Sequence, residues 1–327
     1  MASIRQRSGK WQARVIRLGF PSETKSFETH TEAQRWARHI ESDMDRGAYQ
    51  SAASANQMLL RDILQRYMVS VSPTKRGHID EVIRIKALQR ARMAAYSMSK
   101  LSPEIVADFR DARLKTVGAG AVIRDLSLLS SAISHARREW GITVANPCSL
   151  VRKPPTPMGR SRLLTQDEEE RLLKAVAPTG RRSPWMLPLV ELALSTAMRR
   201  GEMLALKWVD INLDSQTAYL PITKNGTARL VPLSTKAVKV LGSLPRQSSG
   251  LVFGISAQTM EAAFKRARAR AGIADLRFHD LRHTATSRMA EKLPNVIELA
   301  AVTGHRTIQM LKRYYHPSAE ALAKKLG

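Results

Sequence analysis

Residues 146–160 read NPCSLVRKPPTPMGR, and four prolines (Pro147, Pro154, Pro155 and Pro157) fall within eleven residues of it. Proline lacks a backbone donor and clashes with the preceding helical turn, so neither a helix nor a central strand runs through this stretch. It reads as a stiff, extended connector between two regular regions. The main domain boundary is placed here, with residues 151–160 as the linker.

Upstream, residues 56–150 carry apolar residues at three-to-four spacing in MLLRDILQRYMVSV, HIDEVIRIKALQRARMA, SPEIVADFRDARL and AVIRDLSLLSSAISHARREW. That period predicts amphipathic helices. Ser102 and Pro103 mark one helix start, as cap and first-turn residue. Lys75, Arg76, Arg84, Lys86, Arg90, Arg92, Arg137 and Arg138 fall on outer faces, where together they suit a nucleic-acid backbone. Further upstream, residues 1–50 alternate in character around turns at Ser8-Gly9 and Gly19-Phe20-Pro21, then give a helix that Thr31 caps. A three-stranded sheet with one helix is expected there, either a nucleic-acid reader or a scaffold unit.

Downstream, residues 161–327 open with Thr165 and Glu168 in a capping-box pattern. A helix, turn and helix follow in PWMLPLVELALSTAMRRGEMLALKWVDIN. TAYLPITKNGTARLVPLS reads as a β-hairpin about Asn225-Gly226. Helices account for the rest, including DLRFHDLRHTATSRMAEK and TIQMLKRYYH. The chain is thus expected to be multidomain and mainly α, with small antiparallel sheets in its first and last parts.

The 327 residues carry a net charge of +25. By segment it is +3 for residues 1–56, +9 for 57–158 and +13 for 159–327. Cationic surface spread over several folded regions repels itself unless a polyanion neutralises it, and nucleic acid is the usual one. A single cysteine, Cys148, forbids an intramolecular disulfide and fits a reducing compartment. The most apolar region, WMLPLVELALSTAM, is interrupted by Pro188 and Glu191 and is too short for a bilayer. No apolar signal core opens the chain, so a cytoplasmic location is expected.

Reactive groups gather in four clusters of the last region. Arg199 and Glu202 are three residues apart and can share a helix face. Lys224 stands beside the Asn-Gly turn. His279, Arg282 and His283 form HDLRH, in which His279 and Arg282 can point to one spot. The i, i+4 histidines invite a metal, but no glutamate base follows His279 and no third ligand is evident, so an anion is the better partner of Arg282. The last cluster is TGHRTIQMLKRYYHPS, residues 303–318. If Thr307 onward is helical, Ile308, Leu311 and Tyr315 share one apolar stripe, while Tyr314 lies about 100° away and is left to project elsewhere.

Two arginines, a lysine, two histidines and a tyrosine suit attack on a phosphodiester. Arg199 and Arg282 can clamp the non-bridging oxygens as they gain charge. His279 and His305 can donate hydrogen bonds or move protons near neutral pH. A tyrosine oxygen can form a covalent phosphoenzyme, and Lys224 can protonate the departing sugar oxygen.

TAMRRGEMLALKWVDI, ITKNGTARLVPL, HDLRHTATS and TGHRTIQMLKRYYH resemble, in order, the signature boxes of the tyrosine recombinases of the phage-integrase family. The resemblance is strong from Leu163 to His316 and looser over residues 1–150. It implies an arm-type DNA-binding domain (1–50), a helical core-binding domain (56–150), a linker (151–160) and a catalytic domain with a C-terminal tail (161–327). Position by position, Arg199 and Arg282 match the phosphate-binding arginines, Lys224 the general acid, His279 and His305 the two box histidines, and Glu202 a supporting acid. The family's nucleophile follows the second histidine by nine residues, which lands on Tyr314. Ala197 stands where glycine is usual and Thr303 where leucine is usual, and neither change removes a chemical group.

The resemblance implies a site-specific recombinase that needs no cofactor or metal and joins strands through a 3′-phosphotyrosine link for integration or excision of a mobile element. Its implied partners are double-stranded DNA with core-type and arm-type sites, three further copies of itself in a tetramer, and a DNA-bending accessory protein; no membrane is implied. Two other readings stay open: a type IB topoisomerase-like enzyme that relaxes DNA, and a DNA-binding regulator without activity. Residues 317–327 either dock on a neighbouring protomer or pack on their own domain.

Overall fold

A computed structural model of the chain describes residues 2–46, 58–142, 145–221, 228–315 and 319–327. It divides into two compact units, Met1–Met158 and Gly159–Gly327.

The first unit begins with antiparallel strands β1 (Ala2–Arg7), β2 (Lys10–Val15) and β3 (Glu23–Phe27) in that order. Arg7 pairs with Lys10, leaving Ser8 (φ 52°) and Gly9 (φ 80°) as a two-residue turn with both φ positive. Such a turn matches the natural twist of a hairpin, and only glycine adopts it freely. Helix α1 (His30–Asp45) follows, and Ala33, Ala37 and Met44 bury against Ala13 and Val15 of the sheet. Its cap is Thr29, not Thr31: the Thr29 hydroxyl accepts from the Glu32 backbone and the Glu32 carboxylate reaches back to the Thr29 N–H. Of two nearby threonines, the one with an acid three residues later satisfies two orphan donors and wins.

The remainder of this unit is helical: α2 (Leu60–Ser70), α3 (His78–Gln89), α4 (Pro103–Leu114) and α5 (Ala119–Glu139). Ser102 caps α4 with Pro103 in its first turn, as the sequence indicates. Leu60, Leu64, Ile85, Leu126, Leu129 and Ile133 form the buried centre. Asp125 is buried and accepts from Arg84 on α3 at 3.0 Å and Arg113 on α4 at 3.1 Å. Two expected outer-face cations are therefore engaged, since Lys75 likewise pairs with Glu81 at 2.8 Å. Arg76, Lys86, Arg90, Arg92, Arg137 and Arg138 are exposed.

The proline connector is less extended at its start than expected. Asn146 donates to Ser130 and Ser134 on α5 and accepts from the Cys148 N–H, which opens a 3-10 turn over Pro147–Leu150. Cys148 and Val151 are buried in the helical core, so the boundary between units falls later, after Met158. Burial pushes the Cys148 thiol up to about 12, which keeps it protonated.

The second unit is built round α7 (Met186–Thr196), buried on nearly all sides because its sequence is apolar all round. Before it lies α6 (Gln166–Val176), whose Thr165–Glu168 capping box forms as read. After it come α8 (Arg200–Leu204), the antiparallel strands β4 (Ile211–Asn212), β5 (Thr217–Leu220) and β6 (Arg229–Pro232), then α9 (Thr235–Gly242) and α10 (Ala257–Arg270). Strands β5 and β6 pair Leu220 with Arg229, as a hairpin requires; the turn expected at Asn225-Gly226 lies outside the described residues. The chain ends with α11 (Phe278–Lys292), α12 (Val296–Thr303), α13 (Ile308–Leu311) and α14 (Ala319–Leu326). Leu189, Leu192, Met203, Phe253, Phe264 and Leu281 anchor the core, and truncating any of the leucines to alanine would cost about 2–5 kcal/mol. Among the described residues no helix is long and apolar enough to cross a membrane.

Candidate active site

Helix α7 stops at Ala197, which takes φ 52° and ψ 21°, a left-handed conformation suited to glycine. The reversal sends the chain through Met198, which is buried, to Arg199 at the start of α8. Glu202, one turn into α8, accepts from the Arg199 backbone N–H and from its guanidinium, both at 2.8 Å. The same carboxylate takes two bonds from Arg229 on β6, at 3.3 and 3.0 Å. Arg199 also donates to the Gly304 carbonyl at 3.1 Å. One buried acid thus orients two arginines from different elements.

Arg282 reaches the same place from α11 and is 4% exposed. It donates to the carbonyls of Ala197 and, at 2.7 Å, of Thr303. Burial, with repulsion from Arg199, lowers its pKa to about 10, so it stays cationic at neutral pH. Burial also lowers Arg229, whose Nε has no hydrogen-bond partner among the described residues. Three guanidiniums therefore gather near one carboxylate that bonds only two of them, and the surplus positive charge suits a phosphodiester.

The helix carrying Arg282 is pinned at its start. Asp280 is buried and accepts from the Arg277 N–H at 2.8 Å and from Arg160 at 2.9 Å. The Arg160 carbonyl in turn accepts from Arg313, and the Arg313 guanidinium fits because position 159 is glycine: a Cβ there would lie 2.8 Å from Nη1.

His305 follows Gly304, whose φ of 69° ends α12. The Thr303 hydroxyl gives its one proton to the Leu299 carbonyl at 2.6 Å, so at 2.7 Å it accepts from Nδ1–H of His305. The lone pair of His305 then sits on Nε2, which Arg282 Nη2 faces at 3.4 Å. Burial and the neighbouring arginines push its pKa down to about 3, so the ring is neutral. The threonine that replaces the expected leucine fixes this tautomer.

Tyr314 lies in a 3-10 turn (Lys312–Tyr314) directly after α13. The expected helix over residues 307–316 is thus only one α-turn long, and Ile308 is exposed rather than part of an apolar stripe. Leu311 is buried with Ala290 and Leu299, and both tyrosine rings pack on that cluster. Their hydroxyls differ: Tyr314 is in hydrogen-bond contact with Nδ1 of His283. Its ring centroid is 5.9 Å from that of His305. Burial raises the Tyr314 pKa, while Arg313 and Arg282 act to lower it.

Of the expected site residues, Arg199 is bonded to Glu202 and Arg282 faces His305, with the Tyr314 ring near that of His305. His279 is exposed while Arg282 is buried, so they do not share one environment; its ring meets His283 edge-on at 5.0 Å between centroids. Lys224 lies outside the described residues. Among the described residues no group of three or more His, Cys, Asp or Glu is placed to hold a metal ion. Sequence reasoning missed Arg229, for which the pattern held no signal, and the contact of His283 with Tyr314, since it weighed His283 only as a metal ligand and set that reading aside.

Residues 162–321 match the sequence profile of the phage integrase family. The shufflon-specific DNA recombinase of Escherichia coli is 42% identical over 280 residues, covering 83% of this chain and 72% of that protein. The chain belongs to the phage integrase family. A putative integrase/recombinase of Haemophilus influenzae is 33% identical over 341 aligned positions, covering 100% of this chain and 91% of its own. The fold of this family member is that of lambda integrase, seen as a dimer bound to a COC′ core site (TM-score 0.67) and as a tetramer bound to a Holliday junction (TM-score 0.66). Each of these matches has 22% identity and covers 96% of this chain and 94% of the other. The mainly helical, multidomain architecture with two small antiparallel sheets is therefore as the sequence indicates.

Proposed function

We propose that this enzyme cuts and rejoins double-stranded DNA at specific sites through a 3′-phosphotyrosine bond to Tyr314. The observation that carries the proposal is the convergence of Arg199, Arg229, Arg282 and a neutral His305 beside a half-buried tyrosine hydroxyl. Arg199 and Arg282 bind the non-bridging oxygens, with Glu202 holding Arg199 in place. The Tyr314 oxygen bonds to phosphorus, the bond to the 5′ oxygen breaks, and Lys224 protonates that oxygen. His279 supplies a hydrogen bond or relays a proton, and the Nε2 lone pair of His305 steadies the Arg282 guanidinium. A 5′-hydroxyl of a partner strand then attacks the phosphotyrosine and releases Tyr314. The phosphate bond energy is conserved in the tyrosyl ester, so the exchange draws on no nucleotide cofactor.

Two such rounds on paired sites pass through a four-way junction and call for four protomers; the tetramer of lambda integrase on a Holliday junction supports this assembly. The exposed cations of the helical region, Arg76, Lys86, Arg90, Arg92, Arg137 and Arg138, grip the core site. The sheet face turned away from α1 carries Ser3, Arg14 and Thr24 in one cross-strand row and Arg5, Gln12 and Ser26 in the next, polar groups that fit base edges in a major groove of an arm site. We assign residues 1–50 to arm binding, 56–150 to core binding and 161–327 to catalysis, joined by 151–160. The reaction serves integration or excision of a mobile element in the cytoplasm, with a DNA-bending accessory protein bringing arm and core sites together.

Sequencing the junctions that the protein makes in its own genomic neighbourhood identifies the site, and a nicked duplex of that sequence traps the covalent adduct. Tyr314→Phe is expected to bind the duplex without forming the adduct, and Tyr315→Phe to form it normally. Adduct formation by Tyr314→Phe would overturn the assignment.

A further inference from the structure

We infer that His283 takes the proton of the Tyr314 hydroxyl as that oxygen attacks DNA, and returns it when the strand is resealed. The inference rests on Tyr314 as nucleophile and adds the group that activates it. Nδ1 of His283 is in contact with the hydroxyl, and the two rings lie nearly parallel, 27° apart with centroids at 5.8 Å. His305 is the alternative base by proximity, yet both its nitrogens are engaged, Nδ1 by Thr303 and Nε2 by Arg282.

The position of His283 is set by its packed helix. It sits on α11 between Arg282 and Thr284, both buried, and its helix packs along α7. The groups that face it are His279, Asp280 and Arg282 on its own helix, Arg313 and Tyr314 on the 3-10 turn, and His305. Burial and the nearby cations hold its pKa down at about 4, so the imidazole is neutral and offers a lone pair. Arg313 and Arg282 meanwhile favour the developing phenolate. A weak base is sufficient here, because the oxygen passes its charge to phosphorus as the proton leaves.

The step balances without another reactant. The Tyr314 oxygen forms its bond to phosphorus while its proton moves to Nδ1 of His283, and the 5′ oxygen leaves with a proton from its own acid. On resealing, the 5′-hydroxyl attacks, the bond from phosphorus to Tyr314 breaks, and the imidazolium returns its proton to the phenolate oxygen.

The test uses the full chain and the nicked duplex of the junction sequence, made with either oxygen or sulfur at the scissile 5′ bridging position. A thiolate leaves without protonation, so sulfur rescues loss of the general acid but not loss of the base. His283→Ala and His283→Gln are expected to bind DNA as the native protein does and to form adduct about 100-fold more slowly on both duplexes. Their rates should climb with pH toward the tyrosine range, and added imidazole should restore part of the rate of the alanine variant. Glutamine can accept a hydrogen bond but not a proton, so a native rate in His283→Gln would overturn the inference, as would recovery of either variant on the sulfur duplex. Adduct on Tyr314→Phe would instead sink the nucleophile assignment, a separate outcome.

Discussion

Among the described residues, two buried carboxylates each hold two arginine side chains, in different surroundings. Asp125 ties Arg84 and Arg113 together across three helices of the first unit. Glu202 ties Arg199 and Arg229 together beside the candidate nucleophile. The guanidiniums of the first cluster are about a third exposed (32% and 34%), so water screens the charge that Asp125 leaves unbalanced. Around Glu202 the corresponding values are 20% and 13%, and a third guanidinium, Arg282, is nearly buried alongside. The same local motif is a staple in one place and, on the proposed function, an anion receptor in the other. What separates them is surplus charge out of reach of water, next to neutral imidazoles.

Removing the surplus should have the largest effect. Arg282→Ala is expected to slow adduct formation by about 10³-fold, read on the nicked duplex, because on the proposed function it deletes a fixed donor to the transition-state oxygens. Asp125→Ala should instead leave the cleavage rate of folded protein unchanged and cost about 2 kcal/mol in denaturant unfolding, less than a fully buried pair since both arginines reach solvent. A large cleavage defect in Asp125→Ala would erase the distinction.

A pH titration sharpens it. His283 and His305 have folded-state pKa values of about 4 and about 3, below the usual 6.5 of an unfolded chain. As pH falls from about 6.5, the unfolded state gains protons that the folded site refuses, so stability drops down to about pH 3 and is regained on raising the pH. Thermal melts between pH 7 and 4 should show this loss, and His283→Gln should reduce it. The smallest effect is expected at the turn feeding Arg199. Ala197→Gly removes a left-handed alanine and should raise stability by about 1 kcal/mol in denaturant unfolding, with Arg282 still bonded to the carbonyl at position 197.

Much of this site could be read from the chain because local spacing constrains it. Thr165 with Glu168, and Ser102 with Pro103, announce helix starts whose partners lie within one turn. Arg199, Arg282, His305 and Tyr314 were recognisable from the order and spacing of four boxes. The rest depends on contacts across long sequence separations. Nothing in the residues around Arg229 states that it will meet Glu202, and periodicity reports which face a residue occupies but not what lies opposite. Tyr314 was separated from Tyr315 by assuming a helix that in fact ends after one turn; the two hydroxyls differ because one meets His283. The Thr29 cap was displaced by two residues for a simpler reason, the choice between neighbouring threonines.

The bond from Arg313 to the Arg160 carbonyl has a mechanical meaning. It spans 153 positions of sequence, yet it places the residue before Tyr314 one hydrogen bond from the peptide that follows the end of the connector. Arg160 is also fastened to Asp280 at the head of the helix bearing Arg282 and His283. Arg160 therefore ties the turn that bears Tyr314, through its carbonyl, and the helix that bears Arg282 and His283, through its guanidinium, to one backbone position.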